Sequence, residues 1–164
     1  MMLLPYENYS ITTKLTPSGA AAKLKENLII TSWPVSNRKI KTTRPFSGVI
    51  DRDSFRIARI TWYLNSFAPI IMGQIHDNAE GTIIHVKMKM HTVITLITLI
   101  WMSGASLALA ASITNMFEQK KFDPIVFVVI GFIMVGYGLC LTGFKYESSK
   151  SKKILAELFC NDSK

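Results

Sequence analysis

The stretch "TIIHVKMKMHTVITLITLIW", residues 82–101, contains the boundary between two kinds of structure. From Ile84 to Met90 every second residue is apolar, and the positions between hold histidine or lysine. A period of two is typical of a β-strand with one buried and one wet face. After His91 no charged residue occurs until Glu118. The sequence therefore predicts a basic strand that leads directly into a long apolar helix.

Two uncharged runs, residues 93–116 and 125–144, predict a pair of membrane-spanning helices joined by a loop over 117–124. At about 1.5 Å per residue the first run reaches roughly 36 Å, and a hydrocarbon core is about 30 Å thick. Pro124 suits the first turn of the second helix. The alternative is two buried helices of a soluble core, but a small core does not need such long uncharged runs.

Charge near the spans predicts their orientation. The side with both chain ends has more lysines near the membrane: Lys87, Lys89, Lys145, Lys150, Lys152 and Lys153. The linker has Lys120 and Lys121. Because positive residues concentrate on the cytoplasmic side, both termini are predicted to be cytoplasmic. Residues 1–4 form only a very short apolar patch with no basic region before it, so no secretory signal is expected.

The net charge of +8 predicts an anionic partner. Nucleic acid is one such partner, but anionic lipid headgroups already lie close to these lysines and need no further assumption. We therefore expect membrane lipids, and no nucleic acid, as partners. The two cysteines, Cys140 in the second span and Cys160 near the end, suggest neither a disulfide nor a metal site.

The soluble residues predict an α+β fold, in which a helix covers an antiparallel β-meander that the transmembrane hairpin interrupts. The predicted elements are a strand over 5–15, a helix over 17–29 capped by Thr16, a hairpin of strands 46–50 and 54–63, and a hairpin of strands 68–77 and 81–91. The domains are then 1–91, 92–146 and 147–164. The last segment predicts an amphipathic helix that packs on the sheet or lies on the bilayer.

No catalytic motif occurs in the chain, and we expect neither enzymatic activity, a cofactor nor a metal. His85 and His91 would lie roughly 20 Å apart on one strand, too far to share an ion. Aromatic and basic residues on the meander form the candidate ligand surface: Arg56, Arg59, Trp62, Tyr63 and Asn65. Arginine binds phosphate well, and amphipathic aromatics suit the headgroup region. The alternative is a plain hydrophobic core with two surface arginines.

Small residues recur in both spans and predict close helix packing: Gly104, Ala108, Ser112, Gly131, Gly136 and Gly143. That packing could be confined to the hairpin, or it could join several copies of the chain or a partner membrane protein. Trp101 is predicted to pack against the small residues.

The stretch "RPFSGVIDRDSFRIARITWYLNSFAPIIMGQI", together with the two spans and the terminal "SKKILAELF", resembles a family of small bacterial membrane proteins without an assigned function. Its most specific part is Tyr63, Asn65, Ser66, Phe67, Pro69, Ile71 and Gly73. The resemblance implies a two-pass protein of the bacterial inner membrane. The element order is also similar to START-like lipid-binding domains, although here a hairpin stands where further strands are expected.

These expectations favour a membrane-anchored binding or scaffold module at the cytoplasmic leaflet, with a lipid, an amphipathic ligand or a protein as its partner. The alternative is an oligomerising, membrane-disrupting or channel-like effector that the soluble domain controls.

Overall fold

A computed structural model describes residues 4–34, 42–61, 63, 65–79 and 81–160. Within these ranges one sheet of six strands is combined with three helices, which confirms the mixed α+β class. In chain order the elements are β1 (Tyr6–Thr13), α1 (Pro17–Glu26), β2 (Leu28–Ile30), β3 (Phe46–Ile50), β4 (Ser54–Arg59), β5 (Ile70–Asn78), β6 (Gly81–Lys89), α2 (Thr92–Gln119) and α3 (Ile125–Cys160).

The strand order is β1-β6-β5-β4-β3-β2. Both predicted hairpins are present, β3 with β4 and β5 with β6, and every neighbouring pair is antiparallel except β2 with β3. The predicted four-strand meander is therefore the middle of a larger sheet. β1 extends it beside β6, and the parallel strand β2 extends its other edge.

Helix α1 begins as the sequence predicts and ends earlier. The Thr16 hydroxyl accepts a hydrogen bond from the Gly19 N–H at 3.2 Å, and Pro17 is the first helical residue. The predicted end at Ile29 is wrong, because the helix ends at Glu26 and residues 28–30 pair with β3. Two consecutive isoleucines favour an extended backbone, and the sheet edge supplies hydrogen-bond partners for it.

The two faces of the sheet have opposite characters. The inner face packs against α1 and the second half of α3, and it supplies most of the core: Leu28, Phe46, Phe55, Ile57, Ile71, Ile75, Ile84, Val86 and Met88. Strand alternation places the predicted wet residues of β6 on the opposite, outer face. Ala20 and Leu24 of α1 are fully buried, as the helical spacing predicts.

Helices α2 and α3 are long and apolar enough to cross a membrane, which is consistent with a two-pass membrane protein. None of the most apolar part of α2 is buried within the protein, and only 6% of that of α3 is. A core helix of a soluble protein would show the reverse. The linker is shorter than predicted, since α2 extends to Gln119 and Lys120 ends it in a left-handed conformation (φ 48°).

Helix α3 differs from the predicted organisation, because the second span and the C-terminal amphipathic segment form one continuous helix. Its second half docks on the inner face of the sheet, where Leu155 and Phe159 are buried. The Thr13 hydroxyl donates to the Phe159 carbonyl at 2.8 Å. In the structure the segment therefore packs on the sheet.

Candidate functional site

The candidate ligand residues around β4 are divided between the two faces of the sheet. Arg59 points to the inner face, where its Nε lies 2.8 Å and its Nη2 2.7 Å from Oε2 of Glu147 on α3. The Tyr63 hydroxyl donates to the other carboxylate oxygen of Glu147. Glu147 is fully buried, so it needs these partners to offset its desolvation. Arg59 and Tyr63 are thus engaged in a junction between sheet and helix.

Burial and the hydrogen bond to Glu147 together raise the pKa of Tyr63 to about 12. The phenol consequently stays protonated and remains a donor throughout the physiological range.

The segment that follows Tyr63 is fastened to α3 one turn earlier. The Asn65 side-chain amide donates to the Gly143 carbonyl at 3.1 Å, and its oxygen accepts from the Phe67 N–H at 3.0 Å. Gly143 gives room for this approach, since a Cβ there would lie 3.1 Å from the Phe67 ring, a tight contact. Asn65 therefore fixes the position of Phe67 above the two long helices.

A second charged cluster joins β1 to α3. Glu7 pairs with Lys145 at 3.5 Å and with Lys152, and it accepts a hydrogen bond from the Ser148 hydroxyl at 3.1 Å. Burial alone would raise the pKa of Glu7, but the hydrogen bond and charge of Lys152, helped by Ser148 and Lys145, lower it. Two of the predicted membrane-surface lysines thus have a carboxylate partner on the inner face.

The other predicted membrane-surface lysines lie elsewhere. Lys87 and Lys89 are exposed on the outer face, and Lys153 is exposed on α3. Lys150 lies over the Tyr146 ring, with its Nζ 4.1 Å from the ring centroid.

An apolar cavity of about 370 Å³, which we call the junction groove, opens between α2 and α3 where they leave the sheet. Its residues come from both helices and from the segment before β5: Ser66, Phe67, Ile94, Ile97, Thr98, Trp101, Gly136, Leu139 and Cys140. Gly136 makes room for the Trp101 ring, because a Cβ there would lie 1.9 Å from a ring carbon. The two candidate spans and the domain that contains the sheet therefore share one concave surface.

The predicted packing residues fall into two groups. Gly136 and Gly143 make close contacts, to Trp101 and Phe67 respectively. Nothing lies within 4 Å of a Cβ built at Gly104 or Gly131. Ala108 is exposed, and the Ser112 hydroxyl bonds to its carbonyl at 2.9 Å. Among the described residues, only some of the small residues therefore make close packing contacts within the protein.

Arg56 lies on the outer face and has its guanidinium 4.4 Å from the centroid of the Trp33 ring. Trp33 also meets His91, at 6.1 Å between ring centroids. The prediction that His91 ends the last strand is wrong. His91 instead caps α2, where its Nδ1 accepts a hydrogen bond from the Val93 N–H at 3.2 Å. Trp62, also predicted to bind ligand, lies outside the described residues.

Two of the three histidines, His76 and His85, face each other across neighbouring strands. His76 belongs to β5, and its ring lies 5.3 Å from that of His85. His85 is bonded to the Ser10 hydroxyl at 2.8 Å. No group of three metal-ligating residues occurs among the residues that the structure describes.

Sequence reasoning missed the two carboxylates that organise the junction, Glu7 and Glu147. A signal exists for the second: Glu147 lies on the helical stripe formed by Phe144, Ser151 and Leu155, where a lone carboxylate is out of place. An acidic residue on an otherwise apolar or small stripe predicts a buried ion pair.

Comparisons of the chain with protein-family models, with curated proteins and with solved structures find no match.

Proposed function

We propose that this protein is a membrane-anchored, non-enzymatic binding module of the bacterial inner membrane. It works at the cytoplasmic leaflet and holds the acyl chain of a membrane lipid, or of a similar amphipathic molecule, in the junction groove. The observation that carries this proposal is the position of the groove, between two candidate spans and directly beneath a fixed segment of the soluble domain.

The shape and lining of the groove suit an apolar chain. Its volume of about 370 Å³ falls within the range of roughly 300–1,000 Å³ that small-molecule sites occupy. Apolar side chains dominate the lining, with Thr98 and Ser66 as the hydroxyl-bearing exceptions. An acyl chain in the surrounding bilayer can enter from the side without crossing water, because both walls are faces of lipid-exposed helices.

The fixed segment gives such a ligand a route to the soluble domain. Phe67 contacts the groove, and Asn65 holds it to α3. Arg59, the last residue of β4, and Tyr63, which precedes the fixed segment, meet α3 at Glu147. A ligand that displaces Phe67 therefore acts on the junction between sheet and helix, which supports a binding or scaffold role.

The proposal is tested by measuring whether the purified protein retains a lipid in the junction groove. We expect wild-type protein, extracted in a mild detergent, to retain a defined lipid in a native mass spectrum and Thr98→Phe to lose it. Leu99→Phe is the matched control, because Leu99 is 57% exposed on the neighbouring position of α2. Equal retention by all three proteins, or no lipid on the wild type, would contradict the proposal.

A second function, oligomerisation into a membrane-active effector, is favoured by the unused small residues. Gly104 and Ala108 line a further apolar cavity of about 390 Å³ together with Ile100 and Phe132. Open glycine faces of this kind allow another helix to approach closely. The same spectrum decides this alternative, because it requires a higher oligomer without a retained lipid.

A further inference from the structure

The outer face of the sheet is positively charged near the hairpin. Lys87, Lys89 and Arg56 lie on it, and none of the outward-facing residues of the described strands is acidic. Lys87 and Arg56 both pair with Met72 of β5 from opposite sides. With strands about 4.8 Å apart, their Cα atoms are roughly 10 Å from each other, so both long side chains can reach one anion.

The guanidinium of Arg56 lacks a carboxylate partner among the described residues. Its Nε is buried and has no hydrogen-bond partner among the described residues, and none of the ion pairs in the described ranges includes it. The guanidinium is nevertheless held in place by its stack on Trp33. A fixed arginine without a carboxylate partner is suited to bind phosphate through its terminal nitrogens.

This basic face is continuous with the junction groove. Trp33 contacts both Arg56 and His91. Because the Nδ1 of His91 accepts a backbone N–H, a neutral ring carries its proton on Nε2, which is free to donate. His91 shares one stripe of α2 with Ile94, Thr98 and Trp101, which line the groove.

We propose that Arg56, with Lys87, Lys89 and His91, binds the phosphate of an anionic phospholipid whose acyl chain lies in the junction groove. Arg56 and His91 donate hydrogen bonds to the phosphate oxygens, and the two lysines add positive charge. Trp33 lies between them at the headgroup level, where amphipathic aromatic rings are favoured. This inference rests on the proposed function and adds the headgroup class to it.

The test uses the full chain in vesicles of equal phosphatidylcholine and phosphatidylglycerol, followed by mild extraction and native mass spectrometry. We expect the wild type to retain phosphatidylglycerol in preference to phosphatidylcholine. Arg56→Gln should reduce that preference by about tenfold, as expected for the loss of one charge-assisted hydrogen bond. Arg52→Gln, in the exposed β3–β4 turn, removes the same charge and should leave the preference unchanged.

The outcomes separate the two proposals. Retained lipid without headgroup preference overturns the phosphate site and leaves the lipid-binding groove unaffected. An equal preference in Arg56→Gln assigns the effect to general surface charge and also overturns the site. If inorganic phosphate abolishes the preference without displacing lipid, the face binds a soluble anion instead. Absence of any lipid overturns both proposals.

A second variant keeps the phosphate site testable if Arg56→Gln does not fold. Lys87 and Lys89 are exposed, so replacing both by Gln leaves the packed residues untouched. We expect this double variant to weaken the preference while keeping total lipid retention. An unchanged preference in it would contradict the contribution assigned to these lysines.

Discussion

Replacing Glu147 by Gln tests whether the buried ion pair holds α3 to the sheet. The substitution keeps the size of the side chain but removes the charge that compensates Arg59, whose side chain is only 16% exposed. Removing one partner of a buried pair costs about 3–5 kcal/mol. Because Arg59 retains some contact with solvent, we expect the lower end, about 3 kcal/mol.

That loss is large enough to measure as a thermal shift. For a chain of this size about 3 kcal/mol corresponds to roughly 6–12 °C in Tm. The assay is thermal unfolding in a mild detergent, followed by tryptophan fluorescence at a single scan rate. Glu157→Gln is the control, since Glu157 is exposed on the same helix and an exposed charge contributes only about 0–1 kcal/mol.

A double variant distinguishes the effect of an unpaired buried charge from the effect of changed side-chain packing. Arg59→Met combined with Glu147→Leu removes both charges, and it should recover most of the stability because apolar pairs often replace buried ion pairs without loss. If Glu147→Gln shifts Tm no more than Glu157→Gln does, the pair does not stabilise the junction and our reasoning about it is refuted.

Three further predictions concern packing, pH and orientation. Gly136→Ala should lower stability by about 1–3 kcal/mol, because its methyl group overlaps the Trp101 ring, whereas Gly131→Ala meets open space and should not; equal Tm values would contradict the packing. The lowered pKa of Glu7 means that its stabilising effect is present above its ordinary value of 4.5 and is lost as the pH falls through the lowered value. The difference in unfolding free energy between wild type and Glu7→Gln should therefore shrink in acid, and a constant difference would count against the cluster. Cys160, exposed at the end of α3, should react with a membrane-impermeant maleimide only in opened cells, with Cys160→Ser as background; labelling in intact cells would reverse the orientation.

The soluble fold was predictable where periodicity and turn residues agreed. The alternation through Lys87 and Lys89 identified β6, and Asp51 to Asp53 marked the turn between β3 and β4. β2 was missed because Leu28 and Ile29 also fit the apolar side of a helix, and only pairing with β3 decides between the two. Short apolar segments cannot be assigned by period alone.

The candidate site was predictable only as a set of residue types. Arg56 and Arg59 are both basic residues of one strand. The sequence did not predict that Arg59 forms an ion pair with a carboxylate whereas Arg56 forms none among the described residues. That difference depends on Glu147, which is far away in sequence and reaches β4 only because α3 returns along the sheet. The junction groove likewise depends on long-range contacts, between Trp101 and Gly136 above all.

The unbroken course of α3 gives the molecule a mechanical property. At about 1.5 Å per residue the helix is roughly 54 Å long. Its first half is a candidate membrane span, its second half packs on the sheet, and no break separates the two. Membrane helices answer changes in bilayer thickness by tilting. A tilt of a stiff rod is carried along its whole length, so the sheet docked on its far end turns with it. In the membrane-anchored protein that we propose, the thickness of the lipid layer around the hairpin would therefore set the angle at which the basic outer face meets the membrane surface.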